Sequence, residues 1–116
     1  MSISNPYTTE LELSAATMRS LVNKAMDRIV RYIESLPQQP AADISGGAEL
    51  ARSVMEPIPE SGIAFDSLLD RLFDDLVPKS FNTAGPGYLA YIPGGDLFHS
   101  AVADQISDSV NRYVGV

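Results

Sequence analysis

The 116-residue chain has no cysteine. That excludes disulfides, thiolate metal sites and a cysteine nucleophile, and it suits the reducing cytoplasm to which this reading assigns the chain. Basic residues are few, 8 Lys and Arg against 15 Asp and Glu, for a formal net charge of −7. Nucleic-acid phosphates and anionic membrane surfaces are repelled by such a charge, so neither is an expected partner. No apolar run approaches the roughly 20 residues that a membrane span requires. Residues 1 to 6 lack a basic start leading into an apolar stretch, so no signal peptide is expected. There is no alternating run long enough for a sheet, and no internal repeat. Walker A, H-E-x-x-H and Ser/His/Asp signatures are all missing.

What is present is helical patterning in an ordinary globular composition, 45% apolar and 20% charged. The fold class is read as all-α, with about three long helices and a short one joined by Pro/Gly loops. Ser14 is placed to cap a helix from about Ala15 to Leu36. Met18, Leu21, Val22, Ala25, Met26, Ile29, Val30 and Ile33 form its apolar face. Lys24, Asp27, Arg28 and Arg31 lie on its polar face, with Asp27 spaced to pair with Arg31. Pro37 and Pro40 end it. A short helix over about Ala48–Met55 opens at Gly46-Gly47.

The third helix carries Phe65, Leu68, Leu69, Leu72, Phe73 and Leu76 at the same spacing. Asp70, Asp74 and Asp75 line its other side. They read as a solvated acidic face, because hard-ion sites draw convergent ligands from tight loops. No metal site is expected. Pro78 ends this helix.

Gly85 to His99 is unlike the rest. Its glycines and prolines surround Tyr88 and Tyr91, and such loops bring backbone close to a ligand or a neighbouring chain. Tyr88–Ile92 is expected to be extended. Gly94-Gly95 permits a sharp turn, and Asp96 is placed to cap a last helix carrying Leu97, Phe98, Ala101, Val102, Ile106, Val110 and Tyr113. The two glycines fit either a backbone anion site or a plain turn. His99, the lone histidine, fits either a proton-transfer group or a partly exposed capping residue, and its spacing favours the second.

At Phe81-Asn-Thr-Ala-Gly-Pro-Gly-Tyr-Leu-Ala-Tyr-Ile-Pro-Gly-Gly-Asp-Leu-Phe98 and Asp108-Ser-Val-Asn-Arg-Tyr-Val-Gly-Val116 the chain resembles the N-terminal part of the pyridoxal-phosphate-dependent group II decarboxylases. These are the family of aromatic-L-amino-acid decarboxylase and its bacterial relatives. The resemblance is densest from Phe81 onward and extends over essentially the whole chain. It implies that residues 1–116 are the N-terminal helical segment of a larger fold-type I enzyme, read as a truncated decarboxylase without its cofactor-binding large domain. It further implies an obligate homodimer, an amino-acid substrate, and pyridoxal phosphate in the full-length enzyme. Tyr91, Ile92, Pro93, Gly94 and Tyr113 would be substrate-binding residues.

Asp96 stands where many bacterial relatives have a third glycine. Gly94 stands where the animal enzymes carry a hydroxyl residue. The family anchors its cofactor on a lysine that follows a histidine. Here the lysines are Lys24 and Lys79, neither preceded by histidine. The chain is therefore expected to have no catalytic or cofactor-binding residue and to be inactive alone. A free-standing α-helical interaction module without catalysis is the competing reading. Under either reading the apolar stripes should drive self-association or a rearrangement of the helices.

Overall fold

A computed structural model describes residues 11–91, 94, 95, 97–112 and 115. Four α-helices follow in order: α1 (Ala15–Ser35), α2 (Gly47–Ser53), α3 (Phe65–Asp70) and α4 (Phe98–Val110). Among the described residues there is no strand, only an isolated antiparallel bridge between Ala42 and Phe81. The fold is all-α. None of the described helices is long and apolar enough to cross a membrane.

Ser14 caps α1 as its sequence position requires, accepting a hydrogen bond from the Thr17 amide at 3.1 Å. Leu36–Gln38 tightens into a 3-10 turn with Pro37 inside it. The helix therefore ends one residue before the expected Leu36, where the proline ring no longer permits the α ladder. Gly46 leads into α2 with φ +70°, a left-handed conformation that a side chain disfavours. α2 closes at Ser53, short of Met55, and leaves Val54 and Met55 exposed.

The third helix departs from its expected form. Regular α structure stops at Asp70, Arg71–Leu76 widens into a π-helical turn, and Val77–Lys79 tightens into 3-10 before the chain leaves at Ser80. Arg71 reaches back from the wide turn to the Ser53 carbonyl at 2.8 Å and to Glu56 at 3.8 Å, fastening the end of α2.

The helices do not meet as their apolar stripes suggest. α1 lies on α3 through Lys24 and Arg28, and on the Arg71–Leu76 turn through Arg28 and Tyr32. Lys24 pairs with Asp66 at 2.6 Å, and Arg28 pairs with Asp70 at 3.8 Å and more closely with Asp74. Two residues of the face read as solvated, Asp70 and Asp74, thus join Asp66 in an ionic seam, and all three carboxylates stay more than half exposed to solvent. Asp27 and Arg31 do not pair with each other; Arg28 forms cross-helix pairs. Among the described residues Leu69 is the sole buried large apolar side chain. Met18, Val22, Val30 and Ile33 of α1 and Leu68 and Leu72 of the third helical segment remain exposed.

α4 begins at Phe98 with Leu97, not Asp96, in the N-cap position, and Leu97 supplies no side-chain cap. It stops at Val110 because Asn111 turns left-handed, φ 39°, and its amide bonds the Ser107 carbonyl at 2.9 Å. Every residue from Leu97 to Asn111 is exposed. The chain presents 10199 Å² of accessible surface, against about 6,200 Å² for a compact monomer of this mass. Its radius of gyration is 18.7 Å, where a compact chain of this length has about 13 Å. These helices are arranged around surface that the chain does not cover by itself.

Candidate functional site

The loop after the third helical segment is pinned before it becomes irregular. Lys79 Nζ donates to Asp43 Oδ2 at 2.7 Å and lies 3.1 Å from Ser45 Oγ. Asp43 Oδ1 accepts from the Ser45 amide at 3.0 Å and the Ser45 hydroxyl at 2.6 Å. The lysine and these donors hold the Asp43 carboxyl below its usual range, at about 2. Three residues after Lys79, the Asn82 backbone amide donates to the Ala41 carbonyl at 2.9 Å. The segments 41–45 and 79–82 therefore form one clasp, and the glycine-proline loop springs from it.

Asn82 is the buried polar residue of that clasp, 7% exposed. Its side-chain amide packs against the next turn so closely that a Cβ on Gly85 would lie 2.2 Å from Nδ2. Gly85 is needed here for close approach rather than for an unusual backbone angle. The Gly85 amide bonds the Asn82 carbonyl at 3.1 Å, and the Tyr88 amide bonds the Gly85 carbonyl at 3.2 Å. Successive turns thus carry the chain toward Tyr91.

Tyr91 adopts φ 59° and is 94% exposed. The expected extended run is therefore broken at Tyr91, which takes a left-handed turn. Gly94 is exposed, and no described residue lies within 4 Å of where its Cβ would be. Ile92, Pro93, Asp96 and Tyr113 lie outside the described residues. His99 sits exposed in the first turn of α4. The described members of the expected substrate site, Tyr91 and Gly94, stand on the surface and are not gathered around a cavity within this chain.

Among the described residues a concavity lies elsewhere, between the C-terminal half of α1 and residues 73–82, with a volume of about 420 Å³. Tyr32 and Phe73 supply its aromatic surface, their ring centroids 6.3 Å apart and tilted by 58°. The Arg28 guanidinium lies 5.4 Å from the centre of the Phe73 ring. Ser35 bonds the Tyr32 carbonyl at 2.7 Å, and Gln39 bonds Ser35 at 2.6 Å, fixing the far wall. Sequence reasoning passed over this site. Its one trace was Tyr32, an aromatic four residues beyond Arg28 on an otherwise charged face.

Both lysines are engaged, Lys24 with Asp66 and Lys79 with Asp43. No cluster of three or more potential metal ligands occurs among the described residues.

The chain is distantly homologous to an aromatic-L-amino-acid decarboxylase of Bacillus atrophaeus. The two are 30% identical over 103 residues, which cover 89% of this chain and 22% of that protein. The chain thus spans about a fifth of the length of the curated relative it matches. No family model and no solved structure matches it.

Proposed function

We propose that the chain is the N-terminal helical segment of a pyridoxal-phosphate-dependent group II decarboxylase and helps to form a homodimer and part of an amino-acid substrate pocket. The observation that carries this reading is the lopsided homology, which takes in 89% of this chain but 22% of the decarboxylase. The architecture supports it. A segment built to be completed by the rest of an enzyme leaves its apolar faces open, as α1 and α4 do. Tyr91, lifted clear of its own chain, is available to a pocket whose other walls come from a large domain or a second subunit. Ile92, Pro93, Gly94 and Tyr113 are its proposed companions there.

Pyridoxal phosphate does not fit this chain alone. A Schiff-base lysine must be free to condense with the aldehyde, and both lysines here are ion-paired at 2.6 and 2.7 Å. Neither follows a histidine. The segment is therefore proposed to be inactive alone, the chemistry residing in the remainder of the enzyme.

The test is a chimera in which this chain replaces the matched segment of the Bacillus decarboxylase. The chimera should decarboxylate its amino acid, and Tyr91→Ala should raise KM. A chimera that assembles but has no activity would instead favour a free-standing interaction module. The isolated chain, as purified and without added cofactor, should show no internal-aldimine absorbance. A clear aldimine band would sink the claim that it is inert.

A further inference from the structure

We infer that the cavity between α1 and the Arg71–Lys79 segment is a binding site for a small aromatic carboxylate, independent of any decarboxylase pocket. Its volume of about 420 Å³ lies in the range of roughly 300–1,000 Å³ that small-molecule sites occupy. Its apolar surface comes from the Tyr32 and Phe73 rings together with Pro40, Val77 and Pro78. The two rings are tilted with respect to each other, so a third ring can meet one face-on and the other edge-on, arrangements that aromatic pairs prefer.

The charges around the cavity select the other end of the ligand. Asp74 is committed to Arg28, and Asp43 to Lys79. Arg31 lines the same cavity, and no carboxylate lies within 4 Å of it among the described residues. Arg28 also holds Asp70, so these charges balance as a group, and Arg31 is the lining cation left without a direct carboxylate partner for an occupant to supply. A carboxylate suits the planar fork of a guanidinium, which can bond both oxygens. A multiply charged anion would face Asp43 and Asp74 across the cavity, and a cation would face Arg31. The aromatic body, by excluding water, strengthens the charged contact beside it.

Ligand-observed NMR on the 116-residue chain tests this with phenylacetate, cyclohexylacetate and benzylamine as probes. Phenylacetate should bind saturably, with Kd on the order of 1 mM for so small a ligand. Cyclohexylacetate should bind several-fold more weakly, and benzylamine should not bind. Arg31→Gln should weaken phenylacetate about tenfold or more. Arg19→Gln, elsewhere on α1, should leave its affinity unchanged. Arg31 is exposed, so its variant should fold, and an unchanged circular dichroism spectrum verifies that. Absence of phenylacetate binding, equal affinity in Arg31→Gln, or preference for benzylamine would each overturn the assignment. None of these results bears on the homology that carries the decarboxylase reading.

Discussion

Arg28 on α1 stacks on Phe73 of the π-helical turn, its guanidinium carbon 5.4 Å from the ring centroid, while the same group pairs with Asp74. One side chain thus supplies an aromatic contact and an ion pair at the junction of α1 with the third helical segment. Its side chain is 18% exposed, well below its carboxylate partners. Arg28→Ala should cost about 1–2 kcal/mol in urea unfolding, the sum of a cation–π contact and partly screened ion pairs. Arg28→Lys keeps the charge but loses the planar group, and should fall between the two.

The acid limb of stability should involve Asp43. Its carboxyl is lowered from 3.8 to about 2, first by Lys79 and then by Ser45. A depressed folded-state pKa means that the unfolded chain binds the proton more readily. The contribution is therefore fully present above about pH 4 and is lost as pH falls toward 2. Asp43→Asn should flatten stability across that window and leave its slope near neutral pH unchanged, as read from unfolding midpoints at several pH values.

Gly85 and Asn82 should be energetically coupled. Gly85→Ala places a methyl where the Asn82 amide now lies, 2.2 Å from Nδ2, and should destabilise the chain by about 1–3 kcal/mol. Asn82→Ala removes the obstructing group, together with an amide whose Nδ2 and Oδ1 have no partner among the described residues. In the double variant the cost of Gly85→Ala should largely disappear. A double-mutant cycle by thermal unfolding measures this, and strictly additive costs would contradict the contact.

Much of the helical plan was legible locally. The 3.6-residue spacing from Met18 to Ile33 and the Ser14 cap placed α1 to within a residue at each end. Such signals depend on neighbours along the chain. How α1 and α3 face one another was not legible, because an apolar stripe says only that something should cover it. Here Lys24 and Arg28 meet Asp66, Asp70 and Asp74, and Met18, Val22 and Val30 are left outside. Nor did composition locate the left-handed turn. Nothing in the residue type of Tyr91 marks it for that conformation, which its backbone nonetheless takes. The Asn82–Gly85 approach was equally silent, since a glycine that accommodates a neighbour reads the same as one that merely turns.

Self-association tests the account most directly. Met18, Val22, Val30 and Ile33 on α1, and Leu97, Val102, Ile106 and Val110 along α4, are apolar side chains with 39–71% of their surface exposed. Sedimentation equilibrium over a wide concentration range should show the chain forming dimers or larger assemblies. Val30→Asp should shift that equilibrium toward monomer without unfolding α1. A strict monomer at the highest concentration, with these side chains still accessible to solvent, would contradict the claim that the chain is built to be completed by a partner.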